Sequence, residues 1–91
     1  MVKPHHVYVV IYPSGHREYF KPIRLEVVEI PDIANGIIYK HNMWLVYIWD
    51  PERRCWQDEN SGMKAHRGIK HIENDCRELT RLERVLFLGV E

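Results

Sequence analysis

The chain has 91 residues, 45% hydrophobic and 29% charged, and this composition excludes a disordered or collagen-like protein. Thirteen Lys and Arg residues balance thirteen Asp and Glu residues, so no global basic field draws the chain to nucleic acid. No apolar run approaches the roughly 20 residues that span a bilayer. We expect one cytoplasmic domain over residues 6–91, preceded by an N-terminal tail over residues 1–5, with no membrane contact.

β-Branched side chains dominate the apolar composition, because Val and Ile each occur nine times while Ala occurs twice. Val and Ile favour the pleated, half-buried surface of a sheet, whereas Ala is the strongest helix former. The composition therefore predicts a mainly β protein.

The first elements are two short strands around a glycine-containing turn. Mostly apolar residues occupy positions 6–12, which predicts a strand, and the turn at 13–16 contains Gly15. A second strand covers residues 17–21. We expect Pro22 to interrupt its pairing, because proline has no N–H for a ladder hydrogen bond.

The next segment predicts a curved strand and a reversal. Apolar residues alternate over 23–30, but the phase slips at Val27–Val28, where we expect a bulge that curls the sheet. Asn35–Gly36 predicts a tight reversal. A short strand over 37–40 then reaches a two-residue turn at His41–Asn42.

Residues 43–49 form the clearest strand of the sequence. The turn over 50–53 has proline at its second position, and residues 54–57 return as the hairpin partner. The conformation of residues 58–76 is left open. The spacing of Ile69, Ile72, Cys76 and Leu79 would nevertheless place them on one helical face.

The last elements are a helical turn and a closing strand. Thr80 and Glu83 have the spacing of a capping box, so a short helix begins at Thr80. The apolar run over 85–90 predicts a buried final strand. This order of elements predicts a small β-barrel of five or six antiparallel strands, with a short helical segment before the last strand.

Five collinear motifs give the sequence a resemblance to the WYL domain: Ile11-Tyr12, the Gly15 turn, Pro22-Ile-Arg-Leu25, Trp44-Leu-Val46 and Arg81-Leu-Glu-Arg-Val85. The family has a tyrosine where this chain has Leu45. We expect no preceding helix-turn-helix domain of the kind that often accompanies a WYL domain, because the barrel pattern begins at His6. The chain thus resembles a diverged, stand-alone member of the family.

The resemblance implies an SH3/Sm-like barrel with a regulatory, non-enzymatic role, which senses a nucleotide or a short single-stranded nucleic acid. Guanidinium groups bind phosphate, and aromatic faces stack on bases. We predict that the binding residues are Tyr12, Arg17, Trp44, Tyr47, Arg81 and Arg84. Tyr12, Arg81 and Arg84 occupy the positions of the family motifs.

Alternation along residues 43–49 separates the aromatic side chains into two sets. Trp44 lies on one face of the strand, and Tyr47 and Trp49 lie on the other. If one face is core, the other exposes either Trp44 or the Tyr47–Trp49 pair. An exposed aromatic pair would mark a binding surface.

An alternative function is that of a protein–protein adaptor or inhibitor, such as a phage or defence accessory protein. It would dock through a sheet edge or an exposed aromatic face, and the same surface could form a homodimer. The positions of the basic side chains discriminate between the two functions. Convergence of Arg81, Arg84 and the Lys64–Lys70 stretch on one concave face favours nucleic acid, whereas scattered basic groups favour a protein partner.

No catalytic motif is present, so we expect no enzymatic activity and no cofactor. Cys55, Cys76, His66 and His71 lack the close pairing of cysteines that structural zinc sites use, so we expect no metal. Two free, partly buried thiols are the expected state of the cysteines, and their redox state is left open.

Overall fold

The computed structural model describes residues 1–89, which form one antiparallel sheet and short helical segments. The strands are β1 (Tyr8–Ile11), β2 (Arg17–Asp32), β3 (Ile37–Asp50), β4 (Cys55–Gln57), β5 (Ala65–Gly68) and β6 (Arg77–Glu78). The helices are α1 (Ile69–Asp75) and α2 (Arg81–Glu83), and a 3-10 turn covers Glu59–Ser61. A π-helical turn over Arg84–Leu88 continues α2.

The sheet has the strand order β4-β3-β2-β1-β6, and β5 pairs with a separate part of β3. The predicted mainly β architecture of antiparallel strands is confirmed. Among residues 1–89, the end strands β4 and β6 do not pair with each other, so the sheet is not closed as the predicted barrel would require.

The dominant element is a single long hairpin formed by β2 and β3. Its register runs from Phe20 opposite Ile48 out to Asp32 opposite Ile37. The predicted turn at His41–Asn42 is wrong, since these residues lie within β3 opposite Val28 and Val27. Their polar side chains are tolerated in mid-strand because this part of the hairpin is exposed to solvent.

The irregularity of β2 also lies elsewhere than predicted. Pro22 pairs opposite Val46 instead of ending the strand, and the register shift falls between Pro22 and Arg24 rather than at Val27–Val28. A bulge at this position accommodates the missing N–H of proline. The predicted reversal at Asn35–Gly36 is confirmed, and Gly36 adopts a φ of 64° there.

The end of the described chain is helical. The predicted capping box is confirmed, since the Glu83 N–H donates to the Thr80 hydroxyl (3.2 Å) and the Thr80 N–H donates to Glu83 Oε1 (3.1 Å). The predicted strand is wrong for residues 85–89, because the helix continues to Leu88 and ends at Gly89, whose φ is 72°. Val90 lies outside the described residues.

The predicted helical face is found only in part. Ile69 and Ile72 share α1, and Ile72 is 1% exposed. Cys76 ends that helix in an extended conformation, and Leu79 lies between β6 and α2. The β3–β4 hairpin, by contrast, forms as predicted, with Trp49 opposite Trp56.

Two hydrophobic clusters cover opposite faces of the sheet. The first contains Val2, Tyr8, Val10, Phe20, Trp44, Val46 and Ile72. The second contains Val7, Val9, Trp49, Leu79 and Leu88. The part of the sheet that these clusters cover is called the base below. Val2, which the sequence places in an N-terminal tail, is 5% exposed and belongs to this core.

Beyond the base, the β2–β3 hairpin extends as a two-stranded projection, which gives the molecule principal dimensions of 48 × 28 × 26 Å. This projection, residues 25–42, is called the arm below.

Candidate functional site

Two of the six residues predicted to bind a nucleotide contribute to the core. Trp44 is 8% exposed within the first cluster, so its ring is largely inaccessible to a stacking base. Tyr12 is half-buried against the same cluster, and its ring stacks on His16 with centroids 5.8 Å apart.

Tyr47 lies on the face of β3 opposite Trp44, as alternation predicted. Its hydroxyl donates to Glu59 Oε1 at 3.4 Å, and Arg24 holds the same carboxylate through two bonds of 3.1 and 2.8 Å. Burial raises the pKa of Tyr47, and the negative charges of Glu59 and Asp58 raise it further. Trp49 is 6% exposed, so no exposed Tyr47–Trp49 pair forms.

The two late arginines lie at the C-terminal helical segment. The Arg84 guanidinium donates to the carbonyl of Leu79 at 3.3 Å. Burial and the charge of Arg84 lower the pKa of Lys21, whose ammonium lies 4.5 Å from the ring centroid of Trp56. Arg81 is exposed on α2.

Carboxylates neutralise most of the basic stretch near residues 64–70. Lys64 Nζ and His66 Nε2 lie 3.4 and 2.8 Å from Glu26 Oε1. The contact with His66, assisted by Lys64 and Arg24, lowers the pKa of Glu26 to about 2. Arg67 binds Glu18 through bonds of 3.0 to 3.2 Å. These contacts leave little excess positive charge for phosphate.

Arg17 lines a small recess of about 140 Å³ at the side of the sheet. Tyr19, Arg77 and Phe87 line the same recess. The guanidinium of Arg77 forms two bonds of 2.8 Å with the Glu83 carboxylate. Trp44 lines a different cavity, so the structure does not gather the six predicted residues into one site.

The arm exposes a set of large apolar side chains that the sequence analysis did not single out. Their exposed fractions range from 45% to 92%, and the residues are Leu25, Val27, Ile30, Ile33, Ile37, Ile38 and Tyr39. The sequence signal for this surface was the set of apolar residues on both sides of Asn35–Gly36. They would have predicted a hairpin that is apolar on both faces and too long to be covered by a chain of this size.

Both edges of the arm are unpaired among the described residues. On the β2 side, β1 pairs only with Arg17–Phe20. On the β3 side, β5 pairs with Met43–Val46 and β4 with Ile48–Asp50, which leaves residues 37–42 open. An open strand edge presents N–H and C=O groups that can pair with another chain.

The arm carries more negative than positive charge. Glu26, Glu29 and Asp32 lie on its β2 side, and Lys40 is its lone Lys or Arg. Asp32 also stabilises the reversal, because its carboxylate accepts bonds from the Asn35 side chain (2.8 Å) and backbone (3.3 Å).

A mostly apolar groove of about 530 Å³ lies where the arm meets α1. Its lining includes Ile30 and Met43 from the hairpin and Ile69 and Lys70 from the helix. The groove begins where the open part of the β3 edge ends, since Gly68, the last residue of β5, pairs with Met43.

Within residues 1–89, no cluster of three or more His, Cys, Asp or Glu side chains could hold a metal ion. None of the helices in that part of the chain combines the length and the apolar character that crossing a bilayer requires. Comparison of the chain with known protein families, curated proteins and solved structures finds no significant match. The WYL resemblance therefore stays a prediction.

Proposed function

We propose that this protein is a protein-interaction module, an adaptor or inhibitor, that binds its partner through the arm. One observation carries the proposal: seven large apolar side chains are 45% or more exposed on a two-stranded projection with open edges. Exposed apolar surface of this kind marks interaction sites in soluble proteins. A nucleic acid is the less favoured partner, because the arm holds three carboxylates against one lysine.

The partner expected from this chemistry is an extended protein segment. Such a segment adds a strand to the open edge, so that main-chain hydrogen bonds supply affinity and alternate side chains supply specificity. Apolar residues at alternate positions would contact the arm, and Lys or Arg residues would match Glu29 and Asp32.

Selection from a displayed library of random peptides tests the proposal. Peptides that bind the protein should combine alternating apolar residues with basic ones. Ile33→Asp and Ile38→Asp should abolish their binding, because each places a charge in the apolar contact. Leu82→Asp is the matched control, since Leu82 is 67% exposed on α2, away from the arm.

A library that yields no binder, or binders unaffected by both arm substitutions, would contradict the proposal. A labelled single-stranded oligonucleotide serves as the competing ligand in the same assay. We expect it not to bind, and oligonucleotide binding lost in Ile33→Asp would assign the arm to nucleic acid instead.

A second candidate function is the nucleotide binding that the WYL resemblance implies. The recess beside Arg17 supports it, because the Arg17 guanidinium and the rings of Tyr19 and Phe87 line it, while Arg77 is paired there with Glu83. Titration with labelled nucleotides tests it at low salt. Arg17→Ala should weaken binding, and binding that is equal in both proteins would exclude this recess.

A further inference from the structure

The open edge of β3 and the groove beside α1 lie end to end. β5 runs antiparallel to β3 and pairs with it from Val46 to Met43. At Ile69 the chain leaves the edge and enters α1. A strand that continued in the direction of β5 would pair with residues 37–42 of β3, and its first residue would lie next to Gly68.

We infer that the occupant of this edge is a second copy of the chain, whose own residues 37–42 pair antiparallel with the first. This inference rests on the proposed function of the arm and names its partner. The segment has the required chemistry, because Ile37, Ile38 and Tyr39 are exposed and apolar and Lys40 is basic. In the two-fold symmetric register that places Tyr39 opposite Tyr39 of the second copy, each Lys40 lies opposite Ile38, so the two lysines are not directly opposed.

This register brings the reversal of one copy to the groove of the other. Ile37 of the second copy lies opposite His41, so the residues just before Ile37 reach the position where β5 ends. Ile33 lies in that reversal and is 92% exposed. The groove offers Ile30, Met43 and Ile69 as apolar contacts, and at about 530 Å³ it accommodates an isoleucine side chain with its turn.

Charge favours the same occupant. Asp32 precedes Ile33 in the reversal, and Lys70 lines the groove without an ion pair among residues 1–89. His71 lines the groove as well, 3.0 Å from Asp75, and Glu73 contributes an opposing negative charge. Lys70 is therefore the side chain that an approaching Asp32 would contact most favourably.

Two-fold symmetry closes the assembly. Each copy supplies one β3 edge, one Ile33 and one groove, so the edge contact is self-complementary and the groove contact occurs twice. The pairing leaves neither β3 edge open to a third copy.

Light scattering across a dilution series of the full chain tests the inference. We expect a dimer that dissociates on dilution. Ile33→Asp should raise the dissociation constant at least about a hundredfold, because both copies lose a buried isoleucine contact. Leu82→Asp should leave it unchanged.

A charge exchange tests the contact between Asp32 and Lys70. Lys70→Glu should weaken the dimer about threefold or more by placing like charges together. Adding Asp32→Lys to the same chain should restore part of the affinity even though it removes the bonds from Asn35, a gain that damage to the reversal alone would not give.

Two results would overturn the inference. A chain that is monomeric at every concentration, yet still binds the selected peptides through the arm, would leave the proposed function standing and exclude the second copy. A dimer unaffected by Ile33→Asp and by the charge exchange would place the dimer contact elsewhere.

Discussion

Trp44 and Trp49 lie on opposite faces of the same strand, and both are buried, with 8% and 6% of their surface exposed. Trp44 packs in the cluster that contains Ile72, and Trp49 packs in the cluster that contains Leu88. The base of the sheet is therefore covered on both faces, whereas most of the arm that continues the same two strands is exposed on both. This contrast makes the arm the main accessible apolar surface of the described chain.

Trp49→Ala should destabilise the protein by about 3–5 kcal/mol, because it removes a large buried side chain and its edge-to-face contact with Trp56 at 5.2 Å. Urea unfolding followed by circular dichroism measures the change. Leu82→Ala, at a position that is 67% exposed, should change stability by less than about 0.5 kcal/mol. Equal effects of the two substitutions would contradict the assignment of Trp49 to the core.

Glu83 should make the stability of the fold depend on acid pH. The Arg77 guanidinium and the Thr80 N–H lower the pKa of Glu83 from 4.5 to about 2. A carboxylate with a depressed pKa stabilises the fold above its ordinary pKa, and this contribution is lost as pH falls from about 4.5 through about 2. Glu83→Gln should therefore destabilise the protein at pH 7, and the difference from the unsubstituted chain should shrink as pH falls.

Thermal unfolding at a series of pH values measures this difference. Glu73→Gln is the control, because Glu73 is exposed and makes no ion pair among residues 1–89. A stability difference for Glu83→Gln that stays constant between pH 7 and pH 2 would show that the carboxylate charge is not responsible.

The two cysteines should react with thiol reagents at different rates. Cys55 is exposed and Cys76 is half-buried, and both are free, so the expectation of partial burial fails for Cys55. Burial and the charge of Asp75 raise the pKa of the Cys76 thiol to about 11. Because the thiolate is the reactive form, a chromogenic disulfide reagent at pH 8 should modify Cys55 first. The rapid phase should disappear in Cys55→Ser, and its survival in that variant would contradict the assignment.

Strands β1 and β4 and the base ends of β2 and β3 were predicted from the sequence, whereas β5 and β6 were not, and the hairpin was divided incorrectly. Buried strands and the reversal at Asn35–Gly36 carry local signals, namely apolar alternation and a turn dipeptide. The polar pair His41–Asn42 indicates a turn when every strand is assumed to pack one face against a core, because polar residues would then interrupt the strand. In the arm no core is present, so the pairing of β2 with β3 overrides the local preference.

The strand prediction for the last segment was wrong for a related reason. The apolar run that begins at Val85 reads as a buried strand, yet Val85, Leu86 and Phe87 are 43–66% exposed and only Leu88 is buried. The capping box at Thr80 initiates a helix, which continues to Leu88. Local helix initiation therefore decides the conformation of this segment.

The candidate site could not be predicted from residue types alone. Arginine and aromatic side chains predicted a nucleotide site. In the structure Trp44 packs in the core, and Arg67 and Arg77 form ion pairs. Which of these side chains contact one another depends on the pairing of strands that are distant in the sequence. The exposed apolar residues of the arm have the composition of a core, and only the tertiary structure shows that nothing covers them.

Amide hydrogen exchange, measured with and without a peptide selected for binding, tests the role of the arm most directly. If the arm is the interaction surface, the amides of residues 37–42 gain protection when the peptide binds to the chain at a dilution where it is monomeric, because their open edge becomes paired. Protection confined to residues 77–87, with no change along residues 37–42, would contradict this assignment.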